Sequence, residues 1–112
     1  FLVSDAMSAA GSDQTEFYLN GRRVLRRGGR LTLEDGTLAG ADLDLLTAVR
    51  NLVAWGAAPM ETALAMATSI PAALCGLDGT VGRIAPGRRA DLLHLKGDLS
   101  RIMSIYRASP TA

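Results

Sequence analysis

Three turn dipeptides in close succession, Asn20-Gly21, Gly28-Gly29 and Asp35-Gly36, constrain this chain more than any other feature. Such pairs reach positive φ at little steric cost, which is what tight turns between antiparallel strands require. The runs between them suit strands. Glu16-Phe17-Tyr18-Leu19 reads as one strand, Arg22 to Arg27 as its return across Asn20-Gly21, and Arg30 to Leu33, alternating polar and apolar, as the next. The pattern predicts a β-meander.

From Ala41 the period changes. Leu43, Leu46, Val49 and Val53 recur at three or four, Leu45, Ala48 and Leu52 widen the apolar face, Asp42 and Asp44 favour a helix start, and Gly56 supplies a stop. A second helix is expected from Pro59, whose missing N–H has no partner to lose in a first turn. The Ile70-Pro71 step disfavours helical geometry at Ile70, so the spacing predicts a short helix from Pro71 to Gly76. Further on, strands are expected at Gly82 to Ala85, Ala90 to Leu95 and Ile102 to Tyr106.

Ahead of the meander, Phe1-Leu2-Val3 is a short apolar run that delivers Ser4 and Asp5 to a loop of small residues, Ala6-Met7-Ser8-Ala9-Ala10-Gly11. In parallel α/β folds, ligands and chemistry gather where strands end, because the strand holds a side chain rigidly while the loop can vary. Asp5 is therefore a candidate catalytic carboxylate. A turn or N-cap aspartate would carry the same local sequence.

With 112 residues, 48% of them hydrophobic, the chain can bury a core. No initiator Met or signal-peptide pattern opens it, which predicts a fragment of a longer protein. Arg50, Asn51, Pro59, Glu61 and Pro71 interrupt the apolar stretches, so no membrane span is expected. Cys75 lies in an apolar segment and is expected to pack as a small hydrophobe, and one cysteine without a partner suits a reducing, cytoplasmic setting. Arg22, Arg23, Arg26, Arg27 and Arg30 crowd the meander, but acidic residues nearly balance basic ones overall, at 11 against 12. The expectation is a solvated strand face rather than a nucleic-acid surface.

Two segments carry a resemblance. Gly82-Arg83-Ile84-Ala85-Pro86-Gly87-Arg88-Arg89-Ala90-Asp91-Leu92-Leu93 resembles the G-x-I-x-x-G-x-x-A-D-L element with which amidohydrolase-superfamily chains return from a barrel to a small β-sandwich. Asp91 in it is expected to bond backbone or a neighbouring Arg and not to be catalytic. Upstream, Leu2-Val3-Ser4-Asp5-Ala6, Gly11, Asp35-Gly36-Thr37-Leu38-Ala39-Gly40-Ala41, Val49-Arg50-Asn51-Leu52-Val53, Ala65-Met66-Ala67-Thr68 and Pro71-Ala72 resemble the C-terminal third of the N-acetylglucosamine-6-phosphate deacetylases. The tail Ile105-Tyr106-Arg107-Ala108-Ser109-Pro110 departs from that family's N-G-x-x-V ending.

The resemblance implies an α/β fold: the C-terminal fragment of a (β/α)8 metal-dependent hydrolase barrel plus strands of the accompanying small β-sandwich. Residues 1–81 would supply the last barrel strand, Phe1 to Asp5, with the meander insertion and the C-terminal barrel helices. Residues 82–112 would supply part of the sandwich. The implied activity of the complete enzyme is hydrolysis of the acetamide of N-acetylglucosamine 6-phosphate to glucosamine 6-phosphate and acetate. Asp5 matches the family's catalytic carboxylate, and Leu38-Ala39-Gly40 matches a substrate-contacting turn. The implied cofactor is a divalent metal, zinc or iron, with ligands outside this fragment, and His94 is expected to be structural or exposed. The implied partners are an amino-sugar phosphate, the remainder of the polypeptide and a second subunit in a homodimer, with neither nucleic acid nor membrane. The fragment alone is expected to be inactive. Another amidohydrolase, such as a D-aminoacylase or dihydroorotase-like enzyme, would share the A-D-L element and a strand-end Asp. A non-catalytic binding or assembly module using the Arg-rich hairpin is the reading from another class.

Overall fold

The computed structural model describes residues 1–108 and divides the chain into two compact units, the boundary falling between Ala48 and Val49. Ser109 and Pro110 of the divergent tail lie outside the described residues.

The unit from Val3 to Ala48 is built on β1 (Glu16–Leu19), β2 (Arg22–Arg27), β3 (Arg30–Leu33) and β4 (Leu38–Ala41), an antiparallel sheet in sequence order. The turn residues act as their chemistry requires. Asn20 and Gly21 sit at φ 50° and 75°, and Gly28 and Gly29 at 57° and 74°, the paired positive values of the two-residue turn that matches strand twist. At the third turn Gly36 has φ 86°, while the Asp35 carboxylate accepts the Thr37 N–H at 2.9 Å. Strand pairing puts Phe17 opposite Val24, Val24 opposite Leu33, and Arg26 opposite Leu31, which in turn faces Gly40. Val24, Leu31 and Ala9 are buried beside this row. On the other face Arg23 reaches Glu16 at 2.5 Å and Glu34 at 3.2 Å.

Two expectations for this region are corrected. Phe1 to Asp5 forms no strand: the segment has no regular structure and is followed by a single parallel bridge, between Ala6 and Ala41. A parallel strand is held by ladders on its flanks, and a single bridge does not make one. Leu38-Ala39-Gly40 is not a turn either. The turn is complete by Thr37, where the Leu33 N–H donates to the Thr37 carbonyl, and the residues after it pair with β3 as β4. Both sheets among the described residues are antiparallel and none closes into a barrel.

Helix α1 (Leu45–Ala54) starts four residues later than the periodicity predicts, because Ala41 is spent in β4 and Asp44 caps the first turn. The Asp44 carboxylate accepts the Thr47 N–H at 2.7 Å. Gly56, at φ 66°, ends α1 with paired bonds from Gly56 N–H to Val53 O and from Ala57 N–H to Leu52 O, the two bonds of a Schellman stop.

The second unit comprises Phe1–Leu2 and the residues from Val49 onward. It contains α2 (Met60–Ala67), preceded by Pro59 as anticipated, α3 (Ser69–Leu74), and the antiparallel pair β5 (Leu92–Leu95) and β6 (Ile102–Tyr106). Helix α3 begins before the Pro, at Ser69, because Thr68 (φ −132°, ψ −84°) has already broken α2 and Pro71 falls in a first turn where its missing N–H costs nothing. Gly76 closes α3 as Gly56 closes α1, through Gly76 N–H to Ala73 O and Leu77 N–H to Ala72 O. Gly82 to Ala85 is irregular rather than a strand, since Gly82 turns at φ 86° against α3. Val49, Ala63, Ala72 and Leu99 are the buried apolar residues of this unit. Cys75 is exposed, a correction to its expected packing, because it occupies the C-cap position beyond the buried Ala72. No helix among the described residues is long and apolar enough to cross a membrane.

Candidate active site

Asp5 stands where the opening segment meets β4. Its carbonyl accepts the Ala41 N–H at 3.2 Å, and the next residue bridges Ala41. Its own φ is 49°, in the left-handed region that Asp tolerates better than most residues but that still costs energy. The carboxylate is exposed and has no hydrogen-bonding partner among the described residues. Ser4 helps to shape the bend, its hydroxyl accepting the Ala6 N–H at 3.3 Å.

The loop after Asp5 is locally ordered. Ala10 N–H donates to Met7 O, and both the N–H and the hydroxyl of Ser12 reach Ala9 O, the hydroxyl at 2.8 Å. Gly11 adopts φ 74° to let the chain turn.

Gly40 is buried against this segment. A Cβ at Gly40 would lie 2.6 Å from Met7 Sδ and 3.3 Å from the Asp5 carbonyl, so the absence of a side chain lets β4 and the Asp5 segment approach. Leu38, 62% exposed, and Ala39 line an open hollow of about 350 Å³ with Met7, Arg22, Val24 and Leu33. A neighbouring hollow of about 210 Å³ is lined by Met7, Ala9, Leu31, Arg26 and Asp42. Asp5 lines neither. The structure thus brings Asp5 and Gly40 together, while Leu38 and Ala39 face open space one step along β4.

Arg26 is what the sequence reading missed. Its neighbours suggested a solvated face, but Arg26 lies two residues after buried Val24 and so on the same side of β2. Its side chain is only 27% exposed. Nε and Nη2 bind the two Asp42 carboxylate oxygens at 2.9 and 2.8 Å, and Nη1 donates to the Ser12 carbonyl at 2.5 Å. The Asp42 hydrogen bond holds the guanidinium above its ordinary pKa, against the lowering effect of desolvation. Strand alternation was the available signal: an Arg in register with a core Val needs a carboxylate partner.

Asp91 and His94 make local contacts. Asp91 pairs with Arg89 Nε at 2.6 Å and accepts the Ala108 N–H at 3.3 Å, as anticipated for a residue that binds Arg and backbone. His94 is exposed on β5 and meets Ser104 across the hairpin, Nδ1 to hydroxyl at 3.4 Å. Among the described residues no three His, Cys, Asp or Glu side chains group to hold a metal ion. These residues therefore do not fit a complete metal centre by themselves.

Residues 4–110 match the model of the amidohydrolase family. The chain belongs to that family. Among curated amidohydrolase relatives, N-acetylgalactosamine-6-phosphate deacetylase of Escherichia coli O157:H7 is 40% identical over 88% of this chain and 26% of its own length. N-acetylglucosamine-6-phosphate deacetylase of Vibrio furnissii is 32% identical over 88% of this chain and 25% of its own. The crystal structure of N-acetylglucosamine-6-phosphate deacetylase from Pasteurella multocida superposes with a TM-score of 0.86 at 31% identity, covering 94% of this chain and 27% of that one. The amidohydrolase segment described here thus spans about a quarter of the length of these relatives.

Proposed function

We propose that the full-length polypeptide hydrolyses the acetamide of an N-acetylhexosamine 6-phosphate, releasing acetate and the free amino sugar phosphate. The observation that carries this reading is the docking of Asp5 on β4, within an amidohydrolase chain whose relatives include deacetylases of both sugar epimers. The resemblance in the sequence points to N-acetylglucosamine 6-phosphate. The 40% relative is named for the galactosamine epimer and the 32% relative for the glucosamine epimer, so both belong in the test.

An amide is a poor electrophile with a poor leaving group. Its hydrolysis requires a proton to leave the attacking water and a proton to reach the departing nitrogen. A single exposed carboxylate can do both in turn, provided it stays in reach of each atom. Asp5 has no competing partner among the described residues, and its backbone is anchored, so it is suited to that exchange. On this reading Leu38 and Ala39, which line the open hollow, would face the substrate, while Gly40 keeps the strand close to Asp5. The zinc or iron implied by the resemblance would draw ligands from elsewhere in the polypeptide. On the same reading residues 1–81 belong with the catalytic barrel and 82–112 with the sandwich.

The test is amine release from each 6-phosphate epimer by the full-length polypeptide and by its Asp5→Asn variant. Asn keeps the size of Asp but cannot carry the proton, so kcat should fall on the order of 10²–10⁴-fold. Loss of less than about tenfold would make Asp5 a structural bend residue.

A further inference from the structure

Asp5 presents a difficulty that its own contacts do not resolve. Its carboxylate is free of side-chain partners among the described residues, so its position is fixed by backbone alone. One anchor, the Ala41 N–H, holds the carbonyl of Asp5 itself. The Ser4 hydroxyl on the Ala6 N–H and the Ala6–Ala41 bridge hold the bend itself, yet a backbone at φ 49° can relax toward commoner values unless the far end of the loop that follows is also held.

The second anchor is the Arg26 guanidinium. It grips the Ser12 carbonyl, at the far end of the loop that begins at Asp5, and takes both oxygens of Asp42, the residue directly after Ala41. One planar group therefore ties the outgoing end of the Asp5 loop to the strand end that holds Asp5. The planar fork suits this task, since two parallel N–H donors fix orientation as well as distance. If the cation only stabilised the sheet, an apolar residue would serve as well, because a partly buried ion pair brings little net stability after desolvation.

We infer that Arg26 is a positioning residue: by joining the Ser12 carbonyl to the Asp42 carboxylate, it sets where the Asp5 carboxylate stands during amide hydrolysis. The inference rests on the reading of Asp5 as the proton carrier.

It is tested by a double-mutant cycle in the full-length polypeptide, with Arg26→Met and Asp5→Asn singly and together, assayed on both hexosamine 6-phosphates. Arg26→Met should lower kcat about 10–100-fold, the scale of a misplaced catalytic group, with KM changed by less than about threefold. In the Asp5→Asn background the same substitution should change kcat by less than about twofold, because the group it positions is already disabled. Arg26→Lys keeps the charge without the fork and should show the same pattern, which covers the case in which the Met variant does not fold. Folded Arg26 variants with unchanged kcat would overturn the inference while leaving Asp5 in its role. So would an equal loss in both backgrounds, since Arg26 would then act independently of Asp5. Full activity of Asp5→Asn alone would remove the proton carrier and the inference with it.

Discussion

The Ala41 N–H donates to the Asp5 carbonyl at 3.2 Å, and one residue earlier Gly40 leaves the space that lets the two backbones come this close. Sequence separation hides the relationship, because the whole meander lies between them.

That closeness makes Gly40 sensitive to substitution in a graded way. Ala at Gly40 needs the Met7 side chain to shift and brings its Cβ to 3.3 Å from the Asp5 carbonyl, whereas the two further methyls of Val press harder on both. Gly40→Ala should keep most activity in the full-length polypeptide. Gly40→Val should cost about 1–3 kcal/mol of stability from overpacking and lower kcat as well. Denaturant midpoints and steady-state kinetics on the pair check this, and equal kcat for both variants would remove Gly40 from the site.

Gly82 is under a stricter constraint. Its φ of 86° excludes ordinary side chains, and a Cβ there would lie 2.7 Å from Ala72 Cβ and 3.0 Å from the Thr68 carbonyl. Gly82→Ala should destabilise by about 2 kcal/mol or more, adding backbone strain to a clash with buried Ala72 and the Thr68 backbone. A thermal midpoint within about one degree of the parent would contradict it.

Asp44 offers a milder test. Removing the carboxylate that accepts the Thr47 N–H should cost about 0.5–2 kcal/mol in Asp44→Ala, while Asp44→Asn should stay within a few tenths of the parent. Identical losses in the two variants would mean that the cap hydrogen bond is not what Asp44 supplies.

Two other aspartates predict an acid limb. Asp98 is held below the ordinary 3.8 by Lys96 and then by Ser100, and Asp35 is lowered chiefly by the Thr37 N–H and hydroxyl. In each case the folded state binds the proton less readily than the unfolded chain does, so stability rises with pH across the window between the two values. The contribution is fully present above about pH 5 and is lost as pH falls through the depressed folded values. Denaturant midpoints of the parent and of the Asp35→Asn/Asp98→Asn variant, measured from neutral pH down to about pH 3, should converge on acidification. Parallel curves would show that neither group is linked to folding.

The sequence determined the local grammar of this protein. Asn20-Gly21 and Gly28-Gly29 specify hairpin turns because few other pairs tolerate positive φ at both positions, and the strands between them appeared at the expected residues. Gly56 and Gly76 ended their helices for the same stereochemical reason, and Pro59 marked where α2 begins. Tertiary structure alone decided what depends on partners distant in the chain. Leu38 to Ala41 looks like a turn leading into a helix, but an available β3 edge makes it a strand and delays α1 to Leu45. Phe1 to Asp5 looks like a strand, but a single bridge just beyond it leaves the segment without regular structure. Arg26 reads as one of several surface cations until strand register turns it inward toward Asp42. Turn chemistry is a property of one or two residues and can be read from them. Pairing and burial belong to pairs of segments, and only the fold brings Asp5 and Gly40 into contact and ties Arg26 to Ser12 and Asp42 beside them.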